Sequence, residues 1–210
     1  MLYRTASPLI RDRTIGAKWF IVTELTQLMT TLVKWTITDY HRLIETGILN
    51  HRRVELLQGE VVEMPPEEPI HSYATEGGVH YLRSLLRGLA VVREAHPITL
   101  ADSEPQPDVA IVQPSRQRYL QHHPYPQDIF LLIEISQSTL DYDLNEKKKT
   151  YALADIPEYW VVNLKANQIH VFRHPQDANY LETFLITQGT IFSLAFPTIE
   201  VSINRFFADA

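Results

Sequence analysis

The 210-residue sequence contains no cysteine. This absence excludes disulfide bonds and zinc sites built on cysteine, and it fits a cytoplasmic protein, which we expect here. Long hydrophobic runs are missing too, since no stretch reaches the roughly 18 apolar residues of a membrane-spanning helix. A short apolar piece at residues 19–22 is followed by Glu24 and by no small-residue cleavage pattern. We therefore expect neither a membrane protein nor a secreted one.

An excess of basic residues is also missing. The chain has 19 Lys and Arg against 25 Asp and Glu, a formal net charge of −6, which argues against a protein that coats nucleic acid by charge alone. The P-loop, dinucleotide-binding, H-E-x-x-H and G-x-S-x-G signatures are absent, which removes several common enzyme classes. A hydrophobic content of 45% predicts one domain with a substantial core.

Residues 1–34 differ from the rest of the chain by their scattered charges and weak periodicity. Two interpretations stand side by side: a disordered N-terminal extension, or a start assigned too far upstream, with Met29 as the true first residue. The folded domain is expected over residues 35–208.

Hydrophobic periodicity and turn residues predict the order of elements in that domain. Helices are expected at 36–47, 70–89 and 143–155. A hairpin is expected at 53–64, a strand or bent pair of strands at 91–100, and further strands at 109–112, 129–135, 158–164, 168–173, 180–186 and 190–192.

Two predicted strands each carry one carboxylate inside or beside an apolar run. Asp108 stands at the start of PDVAIV, residues 107–112, and Glu134 stands near the end of IFLLIEIS, residues 129–136. Burying a lone carboxylate costs several kcal/mol unless it is paired or binds a metal. A divalent metal shared by the two carboxylates is the simplest common reason for both.

The segment DYDLNEKKKTY, residues 141–151, supplies positive charge next to these acids. We expect its helix to begin with Asp143 as N-cap, because Glu146 follows at the spacing of a capping box. An ammonium group beside an acidic metal site is an arrangement suited to phosphodiester hydrolysis. The i, i+3, i+4 rule places the following residues on one helix face: Leu144, Lys147, Lys148, Tyr151 and Ala152.

Taken in order, these motifs resemble the PD-(D/E)XK nuclease superfamily and, within it, the Uma2 family, formerly a bacterial domain of unknown function. The resemblance runs from about Trp35 to Phe206. It is carried by the following residues: Arg53 to Leu57 with Gly59 and Glu60, His71, Pro107 to Val109, Glu134 to Ser136, Asp143, Lys147, Tyr151, and Pro157 to Trp160.

The resemblance implies an α/β fold with a restriction-endonuclease-like core, in which helices flank a central mixed β-sheet that carries additional β-hairpins. It also implies a metal-dependent endonuclease that hydrolyses phosphodiester bonds of nucleic acid, DNA first, with Mg²⁺ or Mn²⁺ as cofactor. The implied metal ligands are Asp108, Glu134 and the main-chain oxygen of Ile135. Superfamily enzymes that cut both strands usually pair, so a homodimer or higher homo-oligomer is expected.

The chain departs from the superfamily pattern at one position, because Ser136 stands where E-x-K has its lysine. The resemblance implies that Lys147 on the following helix replaces that lysine as a catalytic residue. Lys148 and Tyr151 are further expected to contact substrate.

Two other residues keep alternative interpretations. Glu55 interrupts the strand VELL, either as an edge charge facing water or as a third catalytic acid near the metal, which the resemblance favours. His71, at the start of the second helix, either binds substrate phosphate or serves helix capping and packing.

The rival to the nuclease is a binding or assembly module that keeps the fold without catalysis. Ser136 and the acidic net charge favour this module. In it, a salt bridge from Lys147 or Lys148 to Glu134 would only stabilise the fold. Three oxygens and one ammonium converging within about 4–6 Å would favour catalysis instead. A hydrolase of another phosphodiester would use the same residues.

Overall fold

The computed structural model describes residues 31–208. The two interpretations of the N-terminal segment concern residues that lie almost entirely outside this range. The described helices are α1 (Ile37–Glu45), α2 (Pro69–Leu85), α3 (Leu140–Tyr142) and α4 (Lys148–Leu153), with a π-helical turn at Asp143–Lys147 and 3-10 turns at Arg116–Leu120, Pro126–Asp128 and Ile203–Phe206. The strands are β1 (Val54–Leu57), β2 (Glu60–Glu63), β3 (Val91–Glu94), β4 (Val109–Val112), β5 (Ile129–Ser136), β6 (Glu158–Asn163), β7 (Gln168–Gln176), β8 (Asn179–Ile186), β9 (Thr190–Ser193) and β10 (Phe196–Ser202).

A mixed six-stranded sheet forms the centre of the domain, in the order β3-β4-β5-β6-β7-β8. Only β5 and β6 run parallel within it. Residues 140–153, named here the lysine helix, connect these two strands, because parallel neighbours need a crossover connection. Nearly every residue of β5 and β6 is buried, as their apolar sequences predict for strands covered on both faces.

Each face of the sheet has its own hydrophobic cluster. On one face, Val79 and Leu82 of α2 pack with Trp160 and Phe206. On the other face, Tyr151 and Ala152 of the lysine helix pack with Tyr159, Val161 and Phe172. The helices therefore flank the sheet on both sides, which positions the lysine helix over the end of β5.

The hairpin β1–β2 stands outside the main sheet and packs on α1. Its turn, Gln58-Gly59, has φ values of 47° and 73°, as in the type I′ turns that suit two-residue hairpins. Tyr40 of α1 contacts Val54 and Leu56 in a small third cluster. Thr36 caps α1 in a reciprocal capping box with Asp39, which confirms the predicted start of this helix.

The predicted fold class is confirmed: an α/β domain with a central mixed sheet, flanking helices and extra hairpins. Two predicted elements were too long. Helix α2 ends at Leu85 because the chain turns into Gly88, which has a φ of 80°. Leu89, the last residue of the predicted helix, is exposed. Strand β3 ends at Glu94, before Ala95 with its φ of 48°.

One further sequence interpretation was wrong. Asp143 does not cap the lysine helix, since the chain is already helical from Leu140 and Asp143 itself has helical angles. On α1 only Tyr40 is buried, and Ile44 is exposed. Strand β10 was not predicted. No helix within residues 31–208 has the length and apolarity needed to cross a membrane.

Candidate active site

A pocket of about 90 Å³ opens where β5 ends and the lysine helix begins. The last residue of β2 and the segment from there to α2, residues 63–68, form one part of its wall. Residues 137–139 form another part. Six of the eight site residues predicted from the sequence line this pocket: Glu55, His71, Asp108, Glu134, Ile135 and Lys147. They come from five separate segments of the chain, which the hairpin β1–β2, the sheet and two helices bring together.

Asp108 immediately precedes β4, and the neighbouring strand holds its carboxylate in place. Its Oδ2 accepts a hydrogen bond of 2.7 Å from the main-chain N–H of Ile135 and one of 3.1 Å from Nε2 of His71. The antiparallel pairing of Val109 with Ile133 creates this contact, because it sets Asp108 beside the end of β5. Ile135 thus positions Asp108 through its amide, while its side chain is buried in the core.

Glu134 is buried near the end of β5 and receives two strong donors on one oxygen. Its Oε1 accepts a bond of 3.1 Å from Nζ of Lys147 and one of 2.7 Å from the hydroxyl of Tyr151. Its Oε2 has a longer contact, 3.4 Å, to the main-chain N–H of Asp108. Burial raises the pKa of Glu134 well above its usual value, although the Lys147 ammonium opposes this rise.

Lys147 is buried between two carboxylates. Its Nζ lies 3.1 Å from Glu134 and 3.8 Å from Oε1 of Glu55. Burial alone would lower the pKa of Lys147, but the surrounding carboxylates, Glu134 and Glu55 first, raise it well above its ordinary value. The ammonium therefore stays charged and points into the pocket.

The π-helical turn that carries Lys147 is held by two hydrogen bonds to the main-chain oxygen of its first residue, Asp143. The main-chain N–H of Lys148 reaches the oxygen of Asp143, five residues back, and the hydroxyl of Tyr159 also donates to that oxygen at 3.0 Å. Single π-helical turns inside helices occur frequently at functional sites. Here the turn ends at Lys147 and leads into α4, which places Tyr151 beside Glu134.

Asp143 lines the pocket in a way that the sequence analysis missed. Its Oδ2 accepts hydrogen bonds from the hydroxyls of Ser136, at 2.7 Å, and Thr139, at 2.6 Å. Burial raises the pKa of this carboxyl, while Lys147 and the two hydroxyls oppose the rise. Ser136, which stands in the place of the superfamily lysine, thus ties the strand end to the lysine helix. The hydroxyl-rich run before Asp143 was the available signal.

Glu55 is buried at the pocket and does not face water. Its Oε2 accepts a hydrogen bond of 3.1 Å from the main-chain N–H of Gln106, while Oε1 faces Lys147. The interpretation of Glu55 as an edge-strand charge is therefore wrong, because the hairpin β1–β2 turns this side chain inward.

His71 bridges two acids at the rim of the pocket. Its Nδ1 lies 3.1 Å from Oε1 of Glu67, and its Nε2 lies 3.1 Å from Asp108. Burial alone would lower the pKa of His71, but the hydrogen bonds and charges of Asp108 and Glu67 raise it to about 9. Glu67 was missed by the sequence analysis, although its i, i+4 spacing from His71 was a signal.

The two remaining predicted residues do not line the pocket. Tyr151 is fully buried behind Glu134, so a direct substrate contact does not fit it and its hydroxyl positions Glu134 instead. Lys148 turns away, with its Nζ 5.4 Å from the centre of the Phe172 ring. Lys147 and Lys148 were predicted to share one helix face, but their side chains point in different directions.

The donors present fit a hard divalent cation. Protein donors engage Oδ2 of Asp108 and Oε1 of Glu134, while the second oxygen of each carboxylate has no protein donor closer than 3.4 Å among the described residues. Within residues 31–208, no group of three or more His, Asp or Glu side chains has the spacing of a metal site. Mg²⁺ commonly takes one or two carboxylates and completes its shell with water and substrate oxygens, which matches Asp108 and Glu134.

Comparisons with known proteins agree with this description of the fold. The model of the Uma2 family, described as "Putative restriction endonuclease", matches residues 37–204. The structure is also similar to the crystal structure of "a putative nuclease belonging to DUF820" from Anabaena variabilis ATCC 29413. That similarity has a TM-score of 0.63 at 19% sequence identity and covers 81% of this chain and 96% of the other, so it concerns the fold alone. A search of curated proteins yields no significant match.

Proposed function

The chain belongs to the Uma2 family, whose model matches residues 37–204, and from this premise we propose that it is a metal-dependent nuclease that hydrolyses phosphodiester bonds of DNA. The family resemblance recognised in the sequence is confirmed by that match. The observation that carries the proposal is the position of Lys147, whose ammonium lies 3.1 Å from Glu134 and 3.8 Å from Glu55 in the pocket that Asp108 also lines. Two carboxylates and one ammonium thus converge beside Asp108, and this arrangement supports catalysis over an inactive module.

Asp108, Glu134 and the main-chain oxygen of Ile135 are the residues that would hold the metal. The chemistry that Mg²⁺ or Mn²⁺ supplies at such a site is Lewis-acid stabilisation of the phosphoryl oxygens. Asp108 and Glu134 are fixed for this task by the amide of Ile135 and the hydroxyl of Tyr151. Fixed ligands keep the site from reorganising during the reaction, which is the main source of electrostatic catalysis.

Lys147 supplies the positive charge that the chain itself contributes. Because Glu134 and Glu55 keep it protonated, it acts by orienting the attacking water or by stabilising charge on the phosphoryl group, and not as a base. His71 lines the pocket beside Asp108, where it is placed to orient that carboxylate and to lie near a substrate phosphate. Asp143 holds the lysine helix against Ser136 and so sets the position of Lys147.

Cleavage assays with matched variants test the proposal. Plasmid DNA, single-stranded DNA and single-stranded RNA are incubated with Mg²⁺ or Mn²⁺ and with the parent protein, Glu134→Gln, Lys147→Gln or Lys148→Gln. Removing one preorganised group that stabilises the transition state typically lowers the reaction rate by a factor of about 10²–10³. We expect that loss for Glu134→Gln and Lys147→Gln, while Lys148→Gln, which removes the neighbouring ammonium outside the pocket, stays within a few-fold of the parent.

Three outcomes would change the proposal. Cleavage that survives in Lys147→Gln but not in Lys148→Gln would move the catalytic role to the neighbouring lysine. Cleavage of RNA in preference to DNA would correct the substrate. No cleavage of any substrate, with no metal bound by calorimetry, would favour the inactive binding or assembly module.

A further inference from the structure

The charged groups of the candidate active site are recessed in their pocket. The side chains of Lys147, Glu134 and Glu55 expose only 7%, 3% and 2% of their surface. That of Asp108 exposes 18%. The pocket volume of about 90 Å³ leaves room for about six to nine water molecules, at about 10–15 Å³ for each. A substrate phosphate therefore has to leave the surface and enter a small recess to reach these groups.

One side of the recess is a stiff segment that is held at both ends. Residues 63–68, named here the proline wall, contain two consecutive prolines, and each proline fixes its own φ and restricts the residue before it. The main-chain N–H of Met64 donates to the main-chain oxygen of Arg53 at 2.7 Å. Glu67 accepts a hydrogen bond of 2.9 Å from the hydroxyl of Ser72 on α2. The proline wall is thus fixed on both sides and keeps the pocket enclosed.

The proline wall also carries negative charge. Glu63, Glu67 and Glu68 are exposed along it. Arg52 pairs with Glu63 at 3.0 Å, whereas Glu68 has no ion-pair partner among the described residues. A DNA duplex carries one negative charge per about 1.7 Å of its axis, twice the density of one strand, and its persistence length of about 50 nm resists a sharp local bend. Charge and stiffness therefore both disfavour a duplex at this recess more than they disfavour a single strand.

Tyr142 adds an aromatic surface to the same pocket. Burial first, and then the charge of Glu55, raises the pKa of Tyr142 to about 12, so the ring is neutral at neutral pH. Met64, Pro65 and Pro66 contribute further apolar surface. Aromatic side chains bind nucleobases by stacking, and they do so for any sequence because every base has a π-face. The pocket thus combines charged groups suited to a phosphate with a surface suited to a base.

We propose that the substrate of this site is an unpaired strand of DNA, which places one phosphate beside Glu134 and Lys147 while the adjoining base stacks on Tyr142. A base inside a duplex reaches such a surface only after it has left its stack and its partner, and a single strand avoids most of that cost. The inference rests on the proposed nuclease function and adds its class of substrate: single strands, and the unpaired ends or bulges of duplexes.

Three DNA substrates that share one sequence test the class of substrate. They are a single strand, the perfect duplex and a duplex with a central unpaired segment, each incubated with the full chain and Mg²⁺ or Mn²⁺. We expect kcat/KM for the single strand to exceed that for the perfect duplex at least tenfold. Cleavage of the third substrate should fall within its unpaired segment.

Variants of Tyr142 test the contact with the base. Loss of a stacking side chain typically weakens binding by about 5- to 150-fold. We expect Tyr142→Ala to raise KM for the single strand by that factor with a smaller effect on kcat, and to raise the Kd measured by fluorescence anisotropy in Ca²⁺ equally. Tyr142→Phe keeps the ring and should recover most of the loss. Tyr73→Ala removes a tyrosine of α2 that is 58% exposed outside the pocket, and it should leave KM and Kd unchanged.

A further variant separates stacking from packing. Tyr142→Leu keeps an apolar side chain at this position but has no ring, so it should lose as much affinity for the single strand as Tyr142→Ala does. Its free energy of unfolding, measured in parallel by chemical denaturation, shows that the fold is retained. An affinity for the single strand equal to that of the parent protein would contradict stacking on Tyr142.

The outcomes distinguish this inference from the function on which it rests. Cleavage of the perfect duplex as fast as the single strand would overturn the inference and leave the nuclease function in place. An unchanged KM and Kd for Tyr142→Ala would overturn the contact with the base. No cleavage of any of the three substrates would overturn the proposed nuclease function, and the inference with it.

Discussion

At the residue scale, Glu134 shows how hydrogen-bond donors hold a single buried acid in place. A carboxylate in the core is tolerated only when its oxygens receive donors, and Oε1 receives two, Lys147 and Tyr151. These donors leave the second oxygen directed at the amide of Asp108 at a longer distance. The same contacts that make burial possible therefore also aim the acid at the pocket.

Removing the Tyr151 hydroxyl tests this arrangement. Hydrogen bonds to charged groups contribute about 1.5–3 kcal/mol, so we expect Tyr151→Phe to lower the free energy of unfolding by that amount and to reduce cleavage. Tyr180→Phe is the control, because the buried hydroxyl of Tyr180 has no partner among the described residues, so removing it breaks no hydrogen bond and should not destabilise the protein. Chemical denaturation of both variants gives the comparison. Equal losses would contradict the role given to the bond between Tyr151 and Glu134.

At the scale of elements, two adjacent glycines in α2 differ in the space around them. A Cβ on Gly78 would lie 2.7 Å from the ring of Phe206, which is fully buried, whereas a Cβ on Gly77 would meet only the main-chain oxygen of Arg205 at 3.8 Å. Gly78 thus allows the helix to pack closely on the 3-10 turn at Ile203–Phe206. No steric reason of this kind applies to Gly77.

Alanine substitutions at these two positions should have opposite effects. Gly77→Ala should stabilise the protein by about 0.5–1 kcal/mol, because alanine favours helices over glycine by about that amount. Gly78→Ala should destabilise it by about 1–3 kcal/mol through overpacking against Phe206. Thermal unfolding of the two variants measures the difference. A stabilising Gly78→Ala would mean that the contact between α2 and the 3-10 turn is looser than described.

One buried acid links the hairpin β9–β10 to the central sheet, in addition to the packing of Ile191 and Val201 in the core. Glu158 accepts hydrogen bonds from Arg173 and Trp160 on one oxygen and from Ser193 and the main-chain N–H of Leu194 on the other. Two of these donors lie on or beside the hairpin and two lie within the sheet.

Loss of this acid should loosen the hairpin and leave Arg173 without its partner. Breaking a buried ion pair by removing one member costs about 3–5 kcal/mol, and we expect that loss for Glu158→Ala. Glu182→Ala removes an exposed acid that lies 3.9 Å from His174, and it should cost less than about 1 kcal/mol. Denaturant unfolding checks the magnitudes, and hydrogen exchange should show faster exchange in residues 190–202 of Glu158→Ala.

At the scale of the whole molecule, the charge balance sets a condition on substrate binding. The net charge is −6, and the acids that line the pocket outnumber its basic groups. A polyanion would therefore be repelled from the pocket unless divalent cations offset these acids.

Association with nucleic acid should depend on divalent cations for that reason. We expect EDTA to weaken the binding of single- or double-stranded DNA at least tenfold relative to Ca²⁺, which permits binding while cleavage is avoided. Fluorescence anisotropy at constant ionic strength measures this change. Binding of equal affinity in EDTA and Ca²⁺ would indicate a surface remote from the pocket.

The sequence by itself determined the elements and the residue types of the site. The apolar runs of β4 and β5, the turn at Gln58-Gly59 and the capping box of α1 are local patterns, and local patterns decide local structure. Family resemblance added the candidate set, of which six residues meet in one pocket.

Only the tertiary structure decided which contacts each of those residues makes. Asp143 was expected to cap a helix from its spacing to Glu146, but packing against Ser136 and Thr139 drew it into the pocket. Lys147 and Lys148 are neighbours in the sequence, yet in the structure Lys147 contacts Glu134 whereas Lys148 lies over the ring of Phe172. Asp143 is held by Ser136 and Thr139, seven and four residues back, while Lys147 and Lys148 meet side chains of two different strands. Neither outcome follows from the spacing of the charged residues alone, because each depends on how the helix packs on the sheet.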